Sequence, residues 1–157
     1  MARVNYIIGD ATNPKIEGNK IIVHICNDIG GWGKGFVMAI SKRWKEPEKK
    51  YREWFYSKEK FELGQVQFVQ VESEIWVANL IGQHKINRDE NGNAPIRYDA
   101  ILSGLELIEK FAIDKNASVH MPRIGCGLAG GTWDKIEPLI EKTLMINGIE
   151  TYVYDFN

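Results

Sequence analysis

Cysteine, proline and histidine are scarce in this chain: 157 residues include two Cys, five Pro and three His. Two thiols, Cys26 and Cys126, do not make a disulfide framework at this size, so both are expected reduced, in a cytoplasmic setting. His24, His84 and His120 are scattered without metal-ligand spacing, so no metal site is expected. No charge of one sign dominates. Lys and Arg number 20 against 21 Asp and Glu, a net charge of −1, and nucleic-acid backbone is therefore not a favoured partner. The lysines across 42–50 alternate with glutamates and read as a solvated helix face. No apolar run approaches 18 residues, which excludes a membrane-spanning helix. The opening Met-Ala-Arg-Val-Asn-Tyr lacks the apolar stretch of a signal peptide. Internal repeats, low-complexity tracts and linkers are absent as well. The length suits one domain, 1–157, with a real core and a monomer as the expected state.

Glycine is plentiful, and it clusters. Residues 117–131 read Ala-Ser-Val-His-Met-Pro-Arg-Ile-Gly-Cys-Gly-Leu-Ala-Gly-Gly. A short apolar strand there runs into a loop with four glycines, and a helix opens at Thr132, a plausible N-cap. Glycines let backbone amides approach a bulky anion. The helix start adds unsatisfied N–H groups and the positive end of its dipole, a ready phosphate site. A second glycine loop, Gly30-Gly-Trp-Gly-Lys-Gly35, also lies between a strand and a helix. Two such loops point to a ligand with more than one phosphate.

Apolar periodicity supplies the frame. Strands are expected at Val4–Ile8, Lys20–Ile25 and Val119–Ile124, a hairpin at Val66–Val71 and Ile75–Ile81, and a last strand at Ile149–Phe156. Helices are expected at Phe36–Trp44, Pro47–Ser57, Ile96–Phe111 (with Ile101, Leu105, Ile108 and Ala112 on one face) and Thr132–Ile146, the last ending near Gly148. Strands alternating with helices around one hairpin predict an α/β, three-layer α/β/α domain with a mixed central sheet of about six strands.

Gly125-Cys-Gly-Leu-Ala-Gly130 also matches the dinucleotide fingerprint G-x-G-x-x-G, with Asp155 where a ribose-binding acid would stand. Its position is wrong for an NAD-type domain, because the fingerprint normally opens a six-stranded sheet and here only one strand follows. The loop at 30–35 is not a Walker A motif, since Gly35 and not Ser or Thr follows Lys34.

Taken together, Gly9-Asp-Ala-Thr12, His24-Ile-Cys-Asn27, Gly30-Gly-Trp-Gly-Lys-Gly35, Met121-Pro-Arg-Ile-Gly-Cys-Gly127 and Val153-Tyr-Asp-Phe156 resemble the macrodomain family, which binds ADP-ribose. The resemblance covers nearly the whole chain. It looks most like the clade of the terminal ADP-ribose protein glycohydrolase and the yeast-type ADP-ribose 1″-phosphate phosphatase. It implies that Asp10, with Ala11 beside it, accepts from the adenine amine and that Phe156 covers the base. The amides of Ile124, Gly125, Cys126, Gly127, Leu128, Ala129 and Gly130 would cradle the diphosphate. Asn27 would bond the distal ribose, Gly33 and Gly35 would let the backbone approach that sugar, and Trp32 would either shield it or pack on the surface. His24 is either a satisfied core group or the proton-transfer residue. Cys126 reads as a small residue in a crowded loop and Cys26 as buried.

The implied activity is hydrolysis at the distal ribose, as an ADP-ribose 1″-phosphate phosphatase or ADP-ribosyl hydrolase, without a cofactor. The alternative is a non-catalytic ADP-ribose reader. Two departures bear on the choice. The glycohydrolase branch carries a lysine and an aspartate where this chain has Gln83 and Ala129, with Lys85 two residues beyond the first.

Overall fold

The computed structural model describes residues 3–156. Met1 and Ala2, which begin the segment read against a signal peptide, and Asn157 lie outside the described residues. A six-stranded sheet has the order β1-β6-β5-β2-β4-β3. The strands are β1 Asn5–Ile8, β2 Lys20–Asn27, β3 Val66–Glu72, β4 Ile75–Gln83, β5 Ser118–Met121 and β6 Thr151–Asp155. All pairings are parallel except that of β3 with β4. Helices α1 (Phe36–Arg43) and α2 (Glu46–Ser57) pack on one face, and α3 (Tyr98–Lys115) and α4 (Trp133–Ile140) on the other. This is the α/β/α arrangement expected from the strand–helix alternation.

The near-continuous apolar run of β2 follows from burial on both faces. Ile21 and Val23 join the core under α3 and α4, while Ile22 and Cys26 join the core under α1 and α2. On α3 the stripe Ile101, Leu105, Ile108 and Ala112 is wholly buried. Each large side chain so covered contributes about 1.5–3 kcal/mol. Among the described residues no helix is long and apolar enough to cross a membrane.

Several element ends differ from expectation, each for a local reason. The strand β5 stops at Met121 because Pro122 cannot donate to the ladder. The helix α3 starts at Tyr98, not Ile96, because Ile96 N–H donates to the Ala129 carbonyl and Ile96 bridges Gln83. It runs on to Lys115, where Asn116 closes it in a left-handed conformation. Thr132 does stand at the N-cap of α4, but its side chain makes no capping bond; its own N–H donates to the Tyr98 hydroxyl. Pro138 withholds one donor inside α4, and the helix passes into a π-helical turn at Glu141–Met145. Gly148 follows with φ +71°, as a helix-terminating glycine should.

The connections decide where a ligand can sit. From β2 the chain leaves through α1 and α2 toward β3 and β4. From β5 it leaves through α4 toward β6, on the opposite side of the sheet. Since β2 and β5 are parallel neighbours, a crevice opens between their carboxyl ends, the usual ligand position in such sheets.

Candidate functional site

Both glycine loops rise at this crevice, one after β2 and one after β5. They face each other: a methyl built on Gly35 would stand 3.5 Å from Leu128 Cδ1. Among the described residues, the backbone N–H groups of Gly33, Lys34 and Gly35, and of Gly127, Leu128 and Ala129, have no acceptor. Unpaired donors on two facing loops are chemically suited to an anion. Gly35 also requires its identity, with φ +83° and ψ −146°, a region that is almost exclusively glycine's.

The loop after β5 is partly self-satisfied. Cys126 N–H donates to Arg123 O at 3.3 Å and Gly130 N–H to Gly127 O at 3.0 Å. These two amides, expected in the cradle, turn into the loop instead. Ile124 is a core residue, and a Cβ on Gly125 would meet Ile96 at 2.6 Å. The donors offered outward are thus those around 127–129. Burial pushes the Cys126 thiol up, which keeps it protonated at neutral pH and a poor nucleophile.

Arg123 braces this loop from below. Its guanidinium lies 5.0 Å from the Tyr6 ring centroid and 5.1 Å from that of Trp133, and it pairs with both Asp155 oxygens at 2.8 and 2.9 Å. Arg123 precedes the loop and Trp133 follows it, so one cluster pins both ends. The same pairing occupies Asp155, which removes it as a ribose-binding acid of the dinucleotide kind.

Asp10 and Ala11 follow β1, and Phe156 follows β6. Asp10 Oδ1 accepts from Thr12 N–H and Thr12 Oγ1, and Oδ2 meets Arg43 at 3.3 Å. Burial raises its pKa, but the bonds from Thr12 and Arg43 outweigh this and hold the carboxyl below its ordinary range. Ala11 is buried, and Phe156 is 83% exposed at the sheet edge.

Three expected site residues belong to the interior instead. His24 shares the inward face of β2 with Ile22 and Cys26 and is 2% exposed. Its Nε2 lies 2.6 Å from Asn79 Oδ1, its Nδ1 has no partner, and Trp32 packs edge-on against the ring at 5.2 Å. Burial lowers its pKa to about 4, so the ring is neutral at pH 7 and sealed from the crevice. Trp32 is itself core, packed on Tyr51, with Nε1 donating to Ser41 Oγ at 2.7 Å.

Asn27 sits where the β2–β4 register slips after Cys26. Its Oδ1 accepts from Ile29 N–H, Gly31 N–H and the Tyr51 hydroxyl, and its Nδ2 donates to Gly31 O. These bonds hold the first glycine loop in shape.

Sequence reasoning missed the partners of these groups. Asn79 was a polar residue in an otherwise apolar β4 run, and such a residue signals a buried partner. Tyr51, fully buried, carries a hydroxyl 2.6 Å from the Asn27 carbonyl. Asp28, next to Asn27, bonds His84. Lys85 adopts a left-handed backbone just past β4 and is exposed. Gln83 donates to Lys85 O, and Ile96 links Gln83 to Ala129, so the two departures are indeed neighbours across one residue. His120 is structural, bonded to Ser118 and Tyr154. Among the described residues no group of three His, Cys, Asp or Glu side chains is placed to hold a metal ion.

A cleft of about 620 Å³ adjoins the first glycine loop, lined by Ile29, His84, Lys85, Ile86, Arg88 and Arg97 among others. A second cavity of about 580 Å³, between β1 and the end of α4, shares no residue with either glycine loop.

Known proteins agree with this architecture. A solved macrodomain protein from Streptomyces coelicolor is 50% identical, with 99% of this chain and 100% of that chain covered and a TM-score of 0.89. The chain belongs to the macrodomain family. A structure of a protein of unknown function from Bacteroides thetaiotaomicron is 56% identical over 98% of both chains, with a TM-score of 0.97. Among curated proteins, the macrodomain resembles part of mouse chromodomain-helicase-DNA-binding protein 1-like. Identity is 36% over 98% of this chain, which spans only 18% of that protein's length. It is 24% identical to the ADP-ribose 1″-phosphate phosphatase of Meyerozyma guilliermondii, over 98% of this chain and 99% of that protein. No protein-family model matches the chain.

Proposed function

We propose that this macrodomain binds ADP-ribose, free or attached to another group, along the carboxyl edge of its sheet, and that it hydrolyses a bond at the distal ribose. The observation that carries the reading is the meeting of the two glycine loops, with their unpaired amides, at the β2–β5 crevice. Strand order then sets the orientation. From β1 to β4 the edge presents Asp10 and Ala11, Phe156, the 127–129 amides, the 33–35 amides, and finally His84. Four strand spacings at about 4.8 Å give roughly 19 Å, room for a base, two sugars and a diphosphate laid end to end.

In this orientation Asp10 accepts from the adenine amine and Phe156 covers the base. The two amide sets bind the diphosphate and approach the distal ribose. Asn27 serves by fixing the loop shape, and catalysis is by positioning and preorganised dipoles. The similarity to an ADP-ribose 1″-phosphate phosphatase supports a phosphate ester as substrate. The burial of His24 and the presence of Gln83 and Ala129 favour a second reading, a module that binds ADP-ribose without turnover.

Calorimetric titration with ADP-ribose tests the binding. Phosphate release from ADP-ribose 1″-phosphate and ADP-ribose release from a mono-ADP-ribosylated protein then separate the two readings. Absence of binding below millimolar concentration, with NAD bound well, would overturn both.

A further inference from the structure

We propose that His84, oriented by Asp28, is the acid–base residue of this site, acting on a phosphoryl group attached to the distal ribose. The proposal deepens the functional reading above and rests on it. His84 follows β4, one strand beyond the first glycine loop and at the end of the edge farthest from Asp10 and Phe156 among the site strands. Its position therefore matches the distal end of the ligand, where His24 is shut away.

The geometry is that of a carboxylate-oriented imidazole. His84 Nδ1 lies 2.6 Å from Asp28 Oδ2, and Asp28 Oδ1 accepts from Lys85 N–H at 2.7 Å. Both carboxylate oxygens are thus fixed, with the Asp28 side chain only 16% exposed. The His84 backbone is held too, its N–H donating to Pro95 O at 2.8 Å. As the hydrogen-bond acceptor beside Nδ1, Asp28 selects the tautomer with hydrogen there, which leaves the Nε2 lone pair free. The His84 side chain is 44% exposed, on the cleft of about 620 Å³.

Charges of both signs surround that cleft. Lys85, Arg88 and Arg97 line it together with Asp89 and Glu90. The Asp89 carboxylate is turned onto the N–H groups of Asn91 and Asn93. The cleft also touches the glycine loops: Cβ atoms built on Gly31 and Gly130 would meet Ile86 at 3.0 Å and Arg88 at 3.8 Å.

The step balances without a co-reactant other than water. Nε2 takes a proton as the water oxygen bonds phosphorus. The bond from phosphorus to the ribose 1″ oxygen breaks, its electron pair staying on that oxygen. The imidazolium then returns its proton there, and ADP-ribose and inorganic phosphate leave.

The test compares wild type, His84→Gln and Asp28→Asn for ADP-ribose affinity by calorimetry and for kcat and KM on ADP-ribose 1″-phosphate. His84→Gln should bind ADP-ribose within about threefold of wild type and lose roughly 10²- to 10⁴-fold in kcat. Asp28→Asn should keep KM and lower kcat less, because the imidazole loses the carboxylate that orients it. The proposal is overturned if His84→Gln turns over like wild type, or if it weakens binding while leaving kcat intact. It is also overturned if wild type binds ADP-ribose but releases no phosphate, an outcome that leaves the binding reading standing. Wild type that does not bind at all defeats the reading beneath it.

Discussion

Replacing Gly127 with valine separates ligand binding from folding. A Cβ at Gly127 meets no atom within 4 Å, and its φ lies outside the left-handed region. The fold should therefore accept the side chain with a Tm close to wild type. The ligand should not, because the amides of 127–129 can bond an anion only if it comes within hydrogen-bond distance of bare backbone. A lost hydrogen bond to a charged oxygen costs about 1.5–3 kcal/mol, or roughly 10- to 150-fold in Kd. Gly35→Ala is the control with the opposite balance. Its backbone, at φ +83° and ψ −146°, should cost about 1–3 kcal/mol of stability, roughly 2–12 °C in Tm. Thermal unfolding and calorimetric titration with ADP-ribose report both quantities. A Gly127→Val protein that binds at wild-type strength would refute the amide cradle. One that melts far below wild type would refute the claim that this glycine is kept for access.

Three other outcomes follow from named contacts. His24 is neutral when folded, its pKa lowered by burial to about 4, and the unfolded chain takes its proton near 6.5. Stability should thus decline as pH falls through that window, by about 3 kcal/mol; denaturant titrations of wild type and His24→Gln should show a flatter dependence in the variant, and equal slopes would contradict this. Gly104→Ala should destabilise α3 despite better helix propensity, because the new Cβ would stand 2.4 Å from Leu80 Cγ; a loss of about 1–3 kcal/mol is expected, and a raised Tm would show that Leu80 gives way freely. Phe156→Ala should leave Tm unchanged and weaken ADP and ADP-ribose alike by about 1–3 kcal/mol, whereas Gly33→Val should weaken ADP-ribose more than ADP; the reverse pattern would turn the ligand end for end.

Periodicity and glycine spacing made the frame legible. The α3 stripe and the apolar β2 run are one-dimensional signals of burial, and the glycine runs at 30–35 and 125–131 mark places where backbone must come close to something. That the loops meet was not in the spacing. It depends on β2 and β5 lying side by side, a pairing between segments about 100 residues apart. The amide bookkeeping was equally hidden: nothing in Gly-Cys-Gly-Leu-Ala-Gly distinguishes Gly130, whose N–H folds back onto Gly127, from Leu128, whose N–H points to no protein acceptor.

The placement of His24 and Asn27 has one physical source. In an unbroken strand, positions 24 and 27 fall on opposite faces, so a reading by type alone gives both to the ligand. The register slip after Cys26 changes the count. It leaves His24 inward on Asn79 and turns Asn27 toward Tyr51, where its amide folds the chain into the first glycine loop. The same bend sets Asp28, one residue later, against the imidazole of His84 at the end of the neighbouring strand. Asn27 and Asp28 at the end of β2 thus shape the first glycine loop and hold the histidine that follows β4. The irregularity that hides the arrangement from the sequence is the device that produces it.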